Sequence, residues 1–87
     1  MFQMGVVKFM NEIMDRIQQL IFGRFSLMIS HDSPILENGI NSMNIMELIV
    51  DIEDEYNIEF DASVLNYRLL RTIRSISEYV FQQINKE

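Results

Sequence analysis

Ser42 is the residue whose surroundings say most about chemistry. It lies near the end of the segment Glu37-Asn38-Gly39-Ile40-Asn41-Ser42-Met43, a loop holding a glycine. That loop runs straight into Asn44-Ile45-Met46-Glu47-Leu48-Ile49-Val50-Asp51-Ile52-Glu53-Asp54-Glu55-Tyr56, which is apolar on one side and acidic on the other when wound as a helix. No neighbouring side chain in this segment could activate the hydroxyl as a nucleophile. Two roles stand. As an N-cap, a serine stabilises a helix start by roughly 1 kcal/mol. As a point of attachment for a phosphate-bearing group, it would profit from the free N–H groups and the positive dipole end found at a helix N-terminus.

The acidic run is the second feature. Glu47, Asp51, Glu53, Asp54, Glu55, Glu59 and Asp61 lie between Ser42 and Asp61, a stretch with no Lys or Arg. Most charge runs are solvated helix faces. Here Met43, Met46, Glu47, Val50, Glu53 and Asp54 step by three and four residues, so they share a face beside Ser42. Acids interleaved with Met and Val suit the docking of basic partners with apolar edges.

Other chemistries fail on their residue requirements. Asp51-Ile52-Glu53-Asp54-Glu55 has alternating acids, but Tyr56 stands where a calcium loop needs glycine, and the stretch is helical in pattern. His31 precedes Asp32 in a long loop and reads as an ordinary surface residue. A Ser42–His31–Asp32 hydrolase lacks the Gly-x-Ser-x-Gly elbow, and the chain has no room for a substrate pocket. Arg68, Arg71 and Arg74 form the one basic cluster, expected to be solvated and to pair with the acidic helix.

These residues need a scaffold, and hydrophobic spacing supplies one. A first helix is expected from about Met4 to Ile21, with Val6, Phe9, Met10, Ile13, Met14, Ile17, Leu20 and Ile21 as its buried stripe. Lys8, Glu12, Asp15, Gln18 and Gln19 fall on its wet side, and Gly23 is placed to end it. A long connection follows to Asn41, with Phe25, Leu27, Ile29, Ile35 and Leu36 packing along the bundle and a turn or short helical start at Asp32-Ser33-Pro34. The second helix starts at Ser42 or Met43, buries Ile45, Leu48, Ile49, Ile52 and Tyr56, and ends at Asn57. A brief third helix is expected between Ser63 and Tyr67. The last is capped by Thr72 and packs through Ile73, Ile76, Tyr79, Val80 and Ile84. The fold class is therefore all-α: a small four-helix bundle, three main helices and one short one, with a long loop between helices 1 and 2. The seven Met residues sit mainly at core spacing or beside Ser42 and read as adaptable packing.

Bulk properties agree. At 87 residues the chain is expected to form a single domain, burying about 60–65% of its unfolded surface. A hydrophobic content of 48% is that of a folded chain. The net charge of -6 argues against nucleic acid, which requires clustered cations to displace counterions. It favours partners with basic faces. With no cysteine there is no disulfide framework and no thiolate metal site. No apolar run is long enough for a membrane span, and the N-terminus lacks the pattern of a signal peptide, so a cytoplasmic monomer is expected.

Gly39-Ile40-Asn41-Ser42-Met43, followed by Glu47-Leu48 and Ile52-Glu53-Asp54-Glu55-Tyr56, resembles the attachment region of acyl and peptidyl carrier proteins. The resemblance extends from the N-terminal helix to Thr72-Ile73 and Tyr79-Val80, and is most specific between Ile35 and Phe60. It implies a four-helix bundle and a 4'-phosphopantetheine group, taken from coenzyme A, on Ser42, flanked by Gly39, Asn41 and Met43. The arm would hold acyl or aminoacyl groups as thioesters. The implied partners are a phosphopantetheinyl transferase and the loading, synthase or transferase enzymes of fatty-acid, polyketide or nonribosomal-peptide-type biosynthesis. They would dock on Met43, Met46, Glu47, Val50, Glu53 and Asp54, and catalysis would belong to them, not to this chain. Asn41 stands where the family most often has Asp, and Met43 where Leu is usual. Asn keeps the shape and hydrogen-bonding capacity but not the charge, and Met keeps an apolar, more pliable surface. The competing reading is an acidic helical adaptor with no prosthetic arm.

Overall fold

The computed structural model describes residues 2–85, with side chains from residue 9 to residue 85. Among these residues the chain is all-helical: α1 (Phe2–Phe25), α2 (Ser42–Tyr56), a 3-10 turn (Ala62–Val64), α3 (Tyr67–Leu70) and α4 (Ile73–Ile84). Helix α1 packs against α2 and α4, and α3 against α4. The core is mostly isoleucine: Ile13, Ile17 and Ile21 from α1, Ile45, Ile49 and Ile52 from α2, and Ile73 and Ile76 from α4 are all buried. These are the positions that the three- and four-residue spacing selects. Val6 and Lys8, assigned to opposite sides of α1, lie outside the described side chains.

Helix α1 does not stop at Gly23. It continues to Phe25 and ends where Ser26 takes a left-handed backbone, φ 58°, its N–H donating to Phe22 O at 2.9 Å. Two contacts draw the helix past the glycine. Phe25 packs on the core, and Arg24 reaches Asp51 on α2. A Cβ at Gly23 would meet nothing within 4 Å, so this glycine serves no steric need.

The long connection is anchored by three buried isoleucines, Ile29, Ile35 and Ile40. Leu36, expected to pack, is exposed instead, because it sits in the turn that follows Ile35. Asp32-Ser33-Pro34 makes a turn without starting a helix. Polar bonds tie the loop on both sides. Gln18 Nε2, expected on the wet side of α1, donates to Ile29 O at 2.7 Å. Ile35 N–H donates to Arg71 O at 2.8 Å, and Arg74 N–H to His31 O at 3.0 Å. The His31 side chain lies 3.1 Å from Asp15 on α1.

The short helix is displaced from its expected place. Asp61 caps a single 3-10 turn, and Asn66 then caps a separate α3 through Leu69 N–H at 3.0 Å. Asn and Asp prefer caps to helix interiors because their side chains bond nearby backbone N–H groups. Two such residues five positions apart therefore split the segment in two. Thr72 starts α4 with a capping box: its Oγ1 accepts from Ser75 N–H at 3.0 Å, while Ser75 Oγ accepts from Thr72 N–H at 3.1 Å.

Candidate functional site

Ser42 is the first residue of α2 and is exposed. The cap is its neighbour. Asn41 has an extended backbone, φ -89° and ψ 175°, and its Oδ1 accepts from Asn44 N–H at 2.7 Å while its carbonyl accepts from Ile45 N–H at 3.0 Å. This corrects the cap role weighed for Ser42. Its hydroxyl takes part in none of the hydrogen bonds among the described residues and is free for other use. The loop is held in place behind it. Ile40 is buried, and Gly39 has φ 103° with Leu27 packed so close that a Cβ would lie 3.1 Å from its side chain. Positive φ and close approach both call for glycine here.

Electrostatics at this helix start favour an anion. The N–H groups of Ser42 and Met43 precede the first position that can bond within the helix. No acidic residue lies in the first turn. The dipole end is therefore uncompensated, and a phosphodiester on Ser42 Oγ would meet free donors with no carboxylate to repel it. These residues fit the group that the resemblance implies.

The acids of α2 are mostly engaged within the chain. Arg24 Nη2 donates to Asp51 Oδ1 at 2.8 Å, its Nε reaches the other oxygen, and Arg24 lies 4.0 Å from Glu47. Arg16 makes a two-bond pair with Glu55 at 2.9 and 3.0 Å, which holds the Glu55 carboxyl below its ordinary range, through the hydrogen bond first and then the charge. Because Arg16 meets Glu55 and Arg24 meets Asp51, α1 and α2 run antiparallel. Glu53 Oε2 accepts from Phe60 N–H at 2.8 Å and so pins the chain leaving α2. Asp54 has no such partner among the described residues.

The acidic helix is thus paired by α1, not by the basic cluster. Arg74 grips Asp32 instead, with bonds of 2.6 and 3.1 Å that hold the Asp32 carboxyl below its ordinary range. Arg16 and Arg24 escaped the sequence reading. Their eight-residue separation mirrors Glu47, Asp51 and Glu55 at four-residue steps, a signal that can be used only once α1 and α2 are known to be antiparallel.

Comparison with known proteins identifies a family. Residues 21–80 match the family model described as a phosphopantetheine attachment site. No curated protein and no solved structure matches the chain significantly. The chain belongs to the phosphopantetheine attachment family, whose domains carry a 4'-phosphopantetheine group and are carriers, not enzymes.

Proposed function

We propose that Ser42 is the residue of this carrier that takes the arm, and that the chain works as an acyl or aminoacyl carrier. The supporting observation is the division of labour at the start of α2: Asn41 supplies the cap and leaves the exposed Ser42 hydroxyl free. In loading, Ser42 Oγ forms a bond to the phosphopantetheine phosphorus of coenzyme A. The pyrophosphate bond breaks, adenosine 3',5'-bisphosphate leaves, and the serine proton passes to a base of the transferase. Once attached, the arm supplies a terminal thiol that holds cargo as a thioester. The chain's own contribution is to orient the attachment point, to shelter the phosphodiester with the first-turn N–H groups, and to raise the local concentration of cargo at a docked enzyme.

Docking falls to the residues of α2 beside Ser42: Met43, Met46, Glu47, Val50 and Asp54. Glu53 is left out because its carboxylate serves the Phe60 backbone. The partners are a phosphopantetheinyl transferase and enzymes of fatty-acid, polyketide or nonribosomal-peptide-type biosynthesis. Dependence on coenzyme A supports a cytoplasmic setting. The test is transfer from labelled coenzyme A by a promiscuous phosphopantetheinyl transferase. Label should appear on the wild type and not on Ser42→Ala. Equal labelling of both would place the arm elsewhere.

A further inference from the structure

The loop that delivers Ser42 carries a reactive dipeptide that the attachment role leaves unused. Asn38 and Gly39 are both exposed, and no other asparagine of the chain is followed by glycine. Glycine has no Cβ to keep a neighbouring carboxamide away from its backbone nitrogen. Gly39 N–H takes part in none of the hydrogen bonds among the described residues, and neither does Asn38 Oδ1. Asn38 Nδ2 donates to Pro34 O at 2.6 Å, so an exposed bond is the restraint that the carboxamide must break. Other asparagines are held at the oxygen or followed by bulk. Asn41 and Asn66 use Oδ1 to cap helices, and Asn57 precedes the β-branched Ile58. Beyond the pair the chain has little freedom: Gly39 sits at φ 103° against Leu27, and Ile40 is buried.

We infer that Asn38-Gly39 is a site of spontaneous deamidation, and that conversion there slows the loading of Ser42. Gly39 N loses its proton to hydroxide and bonds to Asn38 Cγ. The Cγ–Nδ2 bond breaks, Nδ2 takes a proton from water and leaves as ammonia, and a succinimide ring closes. Water then opens the ring at either carbonyl. One opening gives aspartate, and the other gives isoaspartate, whose main chain carries an extra methylene. In sum a water is consumed and an ammonia released, with no oxidation. Both products place a new carboxylate next to Glu37 in the loop before Ser42, and make the net charge of -6 more negative by one. The isoaspartate also lengthens a segment pinned between the buried Ile35 and Ile40, and so displaces Ser42. The effect on loading rests on Ser42 being the loaded residue, whereas the deamidation does not.

The test is incubation of the purified chain at mildly alkaline pH, followed by peptide-resolved mass spectrometry that separates aspartate from isoaspartate. Asn38 should convert about tenfold faster than Asn41 or Asn57, since only its neighbour lacks a side chain. Anion exchange then isolates the converted chain. Its kcat/KM for arm transfer from coenzyme A by a promiscuous phosphopantetheinyl transferase is compared with that of fresh chain. The isoaspartate form should load about tenfold more slowly, as a small displacement of a reacting group costs. Asn38→Gln, whose longer carboxamide does not close this ring, should keep its starting rate through the same incubation. Asn38→Asp should reproduce the aspartate form. The inference is overturned if Asn38 keeps its amide while the chain is folded, even if it converts once the chain is unfolded in guanidinium chloride. It is overturned equally if the isoaspartate form loads like fresh chain, or if Asn38→Gln slows with incubation as the wild type does. Failure of the fresh chain to load on Ser42, with a control carrier loading normally, would instead remove the attachment assignment and leave the deamidation standing.

Discussion

Asn41 and Ser42 divide two roles that sequence alone could assign to either residue. Both are good cap types, and their propensities are too close to rank. The backbone decides: Asn41 is extended with its side chain on Asn44 N–H, whereas Ser42 is already helical. The stability consequences differ accordingly. Asn41→Ala should cost about 1 kcal/mol, the usual loss for an N-cap. Ser42→Ala should lie within about 0.5 kcal/mol of wild type, as a surface change away from any cap does. Chemical denaturation of the two variants checks this. Equal losses would return the cap to Ser42. A neutral cap also matters for what is attached. With Asn in place of the family's usual Asp, the first turn carries no negative charge to oppose a phosphodiester.

At the scale of elements, legibility followed the strength of periodic signals. Helices α2 and α4 were readable nearly to the residue, because each has a clean apolar stripe, with a distinct stop in α2 and a clear cap residue in α4. Asn57 ends α2 in the left-handed conformation, φ 56°, as its residue type suggests. The end of α1 was misread because a glycine resembles a stop wherever it falls, while the contacts that extend the helix are tertiary. The third helix was misplaced because capping by Asp61 and Asn66 outweighs four residues of weak apolar pattern. Gly39 behaves as a required glycine. Gly39→Ala should cost about 1–2 kcal/mol from backbone strain alone. It should also slow loading of Ser42, because Leu27 would be pushed against the loop that presents it. Thermal unfolding and the loading rate measure the two effects, and a silent variant would show that the loop tolerates a shift. In α4, Ser77 is fully buried and its hydroxyl has no partner among the described residues. Its place on the core stripe was not foreseen, since serine does not count toward an apolar pattern. Ser77→Ala should stabilise the fold by about 1 kcal/mol by removing an unpaired buried hydroxyl. A loss on denaturation would mean that the hydroxyl is satisfied in solution.

Across the whole molecule, charge pairs hold the long loop and the two longest helices together at the surface, around a core of branched aliphatic side chains. Asp32–Arg74 ties the loop to α4, and Glu55–Arg16 ties α2 to α1. Both carboxyls are lowered in the folded state by their arginines. A lowered folded value means that the stabilisation is fully present above the ordinary carboxylate range and is lost as pH falls through it toward the folded value. The fold should therefore lose stability in acid. Arg74→Gln should reduce that loss, because the hydrogen bond and charge that lower the Asp32 carboxyl would be gone while the Glu55 contribution stays. Denaturation midpoints across the acid range check the sign, and a wild type whose stability rises into acid would contradict it. No described helix is long and apolar enough to cross a membrane. Residues 21–80 match a family that carries phosphopantetheine, and Ser42 is exposed at the start of α2 within that span.

The most direct measurement is peptide-resolved mass spectrometry of the folded chain after incubation with coenzyme A and a promiscuous phosphopantetheinyl transferase. The account predicts a single added phosphopantetheine, on the peptide containing Ser42 and on that residue within it. Modification at another serine, or none while a control carrier is loaded alongside, would contradict it.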